Sequence, residues 1–347
     1  MRIQLSIMGT TLDVGGKSTI YFGRVAELLP RLLPAGRVVV ITDATIDRLY
    51  PDLVRRYEHL IIGYGEASKT LQTAEMLYRR LMELGADRST FILGIGGGIV
   101  TDVAGYVAST YMRGLDFGFV STTLLGEVDA SVGGKNGVNV ADYKNMVGTF
   151  SHPRFVLVDV AMLRTLPLRE LRAGMAEVVK AAMVGDAELF EELERVAGDE
   201  LYASGERMER IVRAAIEVKR GIVEQDMREG GLRRKLNLGH TVAHALEKCT
   251  REYNHGEAVA IGLVEVSRAA VRRGVMRSED AARVRGVLER LGFDLIPSVA
   301  RHNILREVKM DKKKRDNMLR VVLPEAIGSC RVEEMPFDEF ERLLNDE

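Results

Sequence analysis

The sequence predicts an α/β domain followed by a mostly α-helical one. Three observations carry this expectation. The N-terminal half alternates short β-rich runs with helical patterns, the mark of a sheet with helices on its faces. Beyond "LRTLPLRELRAGMAEVVKAAM" the chain turns to long helical periodicity with few strand signals. Its 347 residues at 46% hydrophobic content are ample for two packed cores. The change falls near residues 155–165, which places the domains at 1–159 and 160–347.

Along the first half, "RVVVITD" and "TFILGIGGG" are the clearest strands. Asp43 follows the first, and Gly96, Gly97 and Gly98 end the second, at carboxyl ends where ligands of open α/β sheets bind. "FVSTTLL" and "PRFVLVDV" read as further strands. In the helical half, breaks are expected at Gly230–Gly231, around Asn254 and at Pro297. There is no internal repeat and no low-complexity tail.

Charge and cysteine usage narrow the function classes. Lysine plus arginine number 49 against 50 acids, so nothing global favours nucleic acid or an anionic membrane, and any anion site must be local. Cys249 and Cys330 stand far apart in no metal or redox spacing, which fits a reducing compartment. The start lacks a basic region followed by a long apolar run, and no stretch approaches the length of a membrane span. A soluble, cytoplasmic protein is the expectation.

Four motifs carry chemistry, each with a plainer alternative. "GIGGGIVTDVAG" sets glycines between a strand and a helix, so bare N–H groups can meet a phosphate. The dinucleotide pattern G-x-G-x-x-G fails after Gly98, and a tight turn without ligand stays open. "STTLLGEVDASVGGKNGVNVADYKN" gathers Asp129, Lys135, Lys144 and Asn145 around a Gly-Gly turn, after Thr122 and Thr123 at a strand end. It reads as a binding loop, against a merely solvated one. In "AGMAEVVKAAM", Glu177 and Lys180 share a helix face, and a surface ion pair explains them equally. His240 and His244 are spaced i, i+4, and His255 opens "HGEAVAIGLV". Three close histidines can hold a metal with a glutamate from elsewhere, but Thr241 stands where H-E-x-x-H needs its base, which excludes metalloprotease chemistry. The basic run "KMDKKKRDNMLR" lacks interleaved aromatics and argues against a nucleic-acid partner.

In combination these motifs resemble the 3-dehydroquinate synthase family, among the sugar phosphate cyclases. The resemblance runs from about residue 38 to 328 through "GGGIVTDVAGYVASTYMRG", "STTLLGEVDASVGGKNGVN", "KNMVGTF", "LRAGMAEVVK", "LNLGHTVAHALE", "HGEAVAIG" and "DKKKRDNMLRVVLP". It implies an NAD-binding α/β domain, a helical metal domain and an active site between them. It also implies one divalent metal, zinc or cobalt, on Glu177, His240 and His255, which replaces the i, i+4 pair and frees His244 for acid/base or phosphate contact. By the same resemblance Arg113, Asp129, Lys135, Asn145, Lys180, Lys219, Arg233, Asn237 and Lys312 contact substrate. Asp43, Glu66, Lys69, Gly96, Gly97, Gly98, Asp102, Thr122, Thr123 and Lys144 face the nucleotide. Departures occur at Thr101 (usually Gly), Gly126–Glu127 (usually Ala-Gln) and Asn136 (usually Thr), all near the cofactor loop.

The implied reaction converts 3-deoxy-arabino-heptulosonate 7-phosphate to 3-dehydroquinate and phosphate. It proceeds by transient oxidation, phosphate elimination, re-reduction and aldol closure, with NAD recycled. A neutral protein needs a local set of cations for a substrate bearing both carboxylate and phosphate, and these lysines and arginines supply one. Another sugar phosphate cyclase and a metal-dependent NAD polyol dehydrogenase are the alternatives. Asn237 and His244 keep the dehydroquinate-type pattern, and "RRKLNLGHTVAH" is expected to set Asn237, His240 and His244 along one helix. The family also implies a homodimer.

Overall fold

The computed structural model describes residues 11–141, 143–196, 201–202, 204–312 and 318–345. The chain divides into two compact units, Met1–Leu166 and Pro167–Glu347.

The first unit is built on a seven-stranded sheet in the order β1-β2-β9-β6-β5-β3-β4. β1 (Thr11–Val14) pairs antiparallel with β2 (Ser18–Phe22), and every other pairing in this sheet is parallel. β3 (Val38–Asp43), β5 (Phe91–Gly96), β6 (Phe117–Ser121) and β9 (Phe155–Val158) occupy its middle. They are buried almost throughout, as parallel strands covered on both faces must be, which is why they read as continuous apolar runs. Alternate residues Val38 and Val40, then Phe91, Leu93 and Ile95, join Val120, Phe155 and Leu157 in one core under α1 (Val25–Leu32).

From β3 the chain passes through α2 (Ala44–Leu49) and α3 (Pro51–Val54) to β4 (Glu58–Ile62) on one side. It then returns through α4 (Leu71–Glu83) to β5 on the other. The direction of winding reverses between β3 and β5, so the carboxyl ends of those strands, at Asp43 and Gly96, form the switch point where such sheets bind ligands. Thr42 Oγ1 donates to the Ile95 carbonyl at 2.7 Å and ties the two strands there.

Strand "FVSTTLL" ends at Ser121, one residue before Thr122. The segment read as a binding loop holds a single π turn, Gly126–Ala130, and an antiparallel hairpin of β7 (Lys135–Val140) and β8 (Tyr143–Phe150). Its irregular spacing hid the hairpin, because the register shifts between Val138 and Val140.

The second unit is mostly helical. α6 (Leu168–Gly185) is buried along most of its length. Around it pack α7 (Ala187–Val196), α8 (Gly205–Gln225) and α10 (His255–Arg272), with α9 (His240–Cys249) against α10. α11 (Ser278–Arg290) and α12 (Arg301–Lys312) follow. Asn254 caps α10 in a reciprocal capping box with Glu257, which explains the expected break there. A β-hairpin, β10 (Met318–Ala326) with β11 (Ser329–Pro336), and α13 (Phe337–Asn345) close the unit. The β-branched run "RVVLP" carried that strand signal inside a half read as helical. Among the described residues no helix is long and apolar enough to cross a membrane.

Candidate functional site

In the second unit three side chains converge. Glu177 lies on α6, 2% exposed, with Lys180 one turn further on and ion-paired to its Oε2. His255 at the start of α10 brings Nε2 to 3.2 Å from Glu177 Oε1, and His240 at the start of α9 brings Nε2 to 3.6 Å from the same oxygen. One donor atom from each of the three lies within 4.8 Å of the others. The opposite ring nitrogens are anchored on oxygen. His240 Nδ1 lies 3.1 Å from the Leu238 carbonyl, and His255 Nδ1 lies 3.5 Å from Glu247 Oε1. That pattern of imidazoles held from behind by a carbonyl and a carboxylate is how proteins orient metal-ligating histidines. The donors are two nitrogens and one oxygen from buried or half-buried side chains, a set that fits zinc or cobalt with a position open to substrate.

Two glycines make the approach possible. At Gly256 a Cβ would overlap the Ala173 backbone of α6, so only glycine lets the His255 end of α10 press onto the helix carrying Glu177. Gly239 takes φ +80° and turns the chain sharply into α9. It also corrects the expected continuous helix. Leu232–Asn237 is a separate 3₁₀ segment, and Asn237 donates to Glu229 Oε1 at 2.9 Å instead of sharing a helical face with His240. His244 stacks edge-on against His240 at 5.2 Å between ring centroids, exposed and outside the three-donor group.

Electrostatics divide the two candidate ligands. Burial holds His240 down at about 3, so its Nε2 lone pair is available at neutral pH. Burial also disfavours the charged ring of His255, but the carboxylates of Glu177 and Glu247 outweigh it and lift His255 to about 10. A proton and a divalent cation therefore compete for the same nitrogen.

Two further cations expected at the substrate are buried in this unit: Lys219 on α8 is 7% exposed and Arg233 is 2% exposed. Arg233 Nη1 donates to the Met227 carbonyl at 2.8 Å, and its backbone N–H donates to Asp226 Oδ2 at 3.0 Å. Asp226 also accepts from Gly230 and Gly231, and these three backbone donors hold its carboxyl down at about 2. The turn at Gly230–Gly231 is thus folded around one carboxylate. Lys312 ends α12, but its side chain lies outside the described residues.

In the first unit Asp43 and Gly96, Gly97 and Gly98, expected at the nucleotide, stand at the switch point. Gly97 precedes α5 (Gly98–Thr110) with no side-chain cap, and a Cβ on it would overlap Thr123. The start of α5 therefore presents backbone N–H groups, the feature that binds phosphate at a helix end. Thr122 is buried and its N–H donates to the Gly96 carbonyl at 3.0 Å. Asp43 caps α2, with Oδ1 accepting from Thr45 and Ile46. Lys69 is 5% exposed and donates to Asp102 Oδ2 and Asn145 Oδ1, both at 2.5 Å. Glu66 accepts from Asn139 at 2.7 Å. Asp129 is half-buried, while Lys135, Lys144 and Arg113 are exposed, and Arg113 sits at φ +71°.

Of the family departures, Asn136 is structural: its Nδ2 donates to the carbonyls of Gly134 and Ser151. Thr101 is buried and donates to the Gly98 carbonyl at 3.1 Å. Glu127 is fully buried, and neither carboxyl oxygen has a hydrogen-bond partner among the described residues. Desolvation, reinforced by Asp159, pushes its pKa well above the carboxylate range. Sequence reasoning passed over Asn139, Asp226, Glu229 and Glu247, which act through neighbouring side chains or backbone N–H groups and leave no spacing pattern.

Family models for the 3-dehydroquinate synthase N-terminal and C-terminal domains match residues 59–173 and 174–314. The 3-dehydroquinate synthase of Geobacter metallireducens is 43% identical over 314 residues, 87% of each chain. That of Pelobacter propionicus is 40% identical over 309 residues, 86% of each. Among solved structures, 2-deoxy-scyllo-inosose synthase complexed with carbaglucose-6-phosphate, NAD+ and Co2+ superposes with a TM-score of 0.88 at 25% identity, covering 97% of this chain and 99% of that one. The 2-epi-5-epi-valiolone synthase ValA of Streptomyces hygroscopicus, with NAD+ and Zn2+ bound, gives 0.85 at 29% identity, covering 96% and 97%. A probable glycerol dehydrogenase of Sinorhizobium meliloti shares the fold alone, at 14% identity and a TM-score of 0.64 over 94% of each chain.

Proposed function

The chain belongs to the 3-dehydroquinate synthase family, and from that premise we propose the following assignment of its residues to the reaction. The activity is conversion of 3-deoxy-arabino-heptulosonate 7-phosphate to 3-dehydroquinate and phosphate, a carbon–oxygen lyase reaction of the shikimate pathway that uses NAD and a divalent metal. The observation that carries it is the 40–43% identity to synthases of that name over 86–87% of the chain, against 14% for a dehydrogenase of the same fold.

Glu177, His240 and His255 would hold the metal, zinc or cobalt, with Glu247 and the Leu238 carbonyl fixing the two imidazoles. A bound metal would supply Lewis acidity toward a substrate hydroxyl, and NAD would supply a reversible hydride acceptor. The remaining work belongs to the chain. Lys180, buried beside Glu177, places a cation where an oxyanion develops. Lys135, Lys219, Arg233 and Lys312 neutralise the carboxylate and phosphate. Arg113, Asp129, Asn145 and Asn237 orient the substrate, and His244 moves a proton near His240. Asp43, Glu66, Lys69, Gly96, Gly97, Gly98, Asp102, Thr122, Thr123 and Lys144 take the nucleotide. The reading includes a homodimer, tested by light scattering, and a cytoplasmic location.

Phosphate release with catalytic NAD, measured on the heptulosonate phosphate, sedoheptulose 7-phosphate and glucose 6-phosphate, tests the reading. Turnover of the first and little of the other two is expected, because donors built for a carboxylate are left unpaired by a neutral sugar. Faster turnover of a neutral sugar overturns the substrate. Steady NADH accumulation matched to substrate consumed overturns the lyase assignment.

A further inference from the structure

Asn139 belongs to neither the nucleotide set nor the substrate set, yet it is bonded to both. Its Nδ2 donates to Glu66 Oε1 at 2.7 Å, and its Oδ1 accepts the backbone N–H of Asn145 at 2.8 Å. Its own N–H donates to the Lys69 carbonyl at 2.8 Å, beside an isolated parallel bridge from Thr70. It stands where the β7–β8 register shifts, between Val138 and Val140. Between these pairs β7 has one residue and β8 has three, Lys144 to Met146, and extra residues of this kind re-aim side chains near active sites.

The residue so aimed is Asn145. It takes φ +55°, a left-handed conformation that asparagine enters more readily than most residues, and its neighbours fix it in one orientation there. Two contacts hold it. Asn139 Oδ1 fixes its N–H, and Lys69 Nζ, also bonded to Asp102, fixes its side-chain Oδ1. Glu66 opens one 3₁₀ turn, Glu66–Ser68, and Lys69 follows it, so a ligand that orders this turn acts on Asn145 by two routes. One runs through the Lys69 ammonium and the other through the Asn139 amide. Only a primary amide of this length donates to Glu66 and accepts from Asn145 at once. Aspartate lacks the donor, serine and threonine are too short, and glutamine is one carbon too long.

We propose that Asn139 is a positioning residue that couples the nucleotide side, through Glu66, to the orientation of Asn145 on the substrate side. This rests on the assignment of Glu66, Lys69 and Asp102 to NAD and of Asn145 to substrate. The coupling is reciprocal: loss of the amide weakens NAD binding and raises the KM for substrate together.

The test is a double-mutant cycle on the full-length metal-loaded enzyme, reading NAD Kd by titration and kcat and KM by phosphate release. Asn139→Asp keeps the acceptor for Asn145 but sets a carboxylate against Glu66, so NAD binding is expected to weaken by about tenfold, the scale of a lost hydrogen bond to a charged group. In the Glu66→Gln background the amide introduced at position 66 can donate to the carboxylate introduced at position 139, and Asn139→Asp should then cost less than about twofold. Asn139→Ala, which also frees Asn145, should raise substrate KM by about tenfold in either background. A merely structural asparagine would show the same Asn139→Asp penalty in the wild-type and Glu66→Gln backgrounds, and that additivity overturns the proposal. So does an Asn139→Ala variant with unchanged NAD Kd and KM. A wild-type enzyme that fails to bind NAD or to release phosphate overturns the functional reading itself, a separate outcome.

Discussion

Replacing Glu127 by glutamine isolates what it costs to bury a carboxyl group without partners. Glu127 is 0% exposed and both its oxygens lack a hydrogen-bond partner among the described residues, so burial, with Asp159 adding repulsion, keeps it protonated well above its ordinary 4.5. An unfolded chain releases that proton above about pH 4.5, whereas the fold retains it. The stability this group contributes is therefore fully present below 4.5 and declines as pH rises toward the folded value, by about 1.4 kcal/mol per pH unit. That slope is the steepest one proton can give, and it holds only between 4.5 and the folded value. Glu127→Gln has no proton to release and removes it. Relative to wild type, the variant should gain stability as pH rises above 4.5, by at most about 1.4 kcal/mol per pH unit, or about 3–6 °C in melting temperature per unit for a domain of this size. Asp102 and every other titrating group is common to both proteins, so the difference between their profiles reports Glu127 alone. Melting curves of the two full-length proteins from pH 5 to 7.5 provide the assay. Parallel profiles would show that Glu127 is ionised in the fold, and the reasoning from burial would fail.

Glu247→Gln removes the carboxylate behind His255 Nδ1 and should weaken metal affinity by about 10–100-fold, read by competition with a chelator. Gly256→Ala forces a methyl group into the Ala173 backbone and moves His255 away from Glu177. The variant should lose metal, measured by elemental analysis, while its circular dichroism stays helical, and full metal content would count against the close approach of the two helices. Asp226→Asn weakens three charge-assisted hydrogen bonds, so amide exchange at Gly230, Gly231 and Arg233 should lose protection at neutral pH. In wild type the ionised carboxyl is held at about 2, below its ordinary 3.8, so its support is present above 3.8 and fades as pH falls toward 2. Protection that is equal in the two proteins at neutral pH contradicts this.

The central strands and the long helices are legible in the amino-acid text alone. Both are local periodicities: a strand buried on two faces must be continuously apolar, and "RVVVITD", "TFILGIGGG" and "PRFVLVDV" each became one. The family is legible too, through ordered motifs whose residues are spaced along the chain. The plain i, i+4 reading of His240 and His244 shows where such spacing stops. It took packing in three dimensions to bring His255 to Glu177 across 78 residues and to leave His244 outside the group, because convergence depends on how closely α6 and α10 pack at Gly256. The left-handed Gly239, which ends one segment and begins another, likewise separated Asn237 from the helix that the local text suggested. The partners that orient the site residues, Glu247 behind His255, Asp226 under Arg233 and Asn139 between Glu66 and Asn145, act through space over contacts that no periodicity records. A single asparagine in "GVNV" looks like any polar residue of a hairpin, and only the register shift of β7 against β8 turns its amide toward two sets of residues at once.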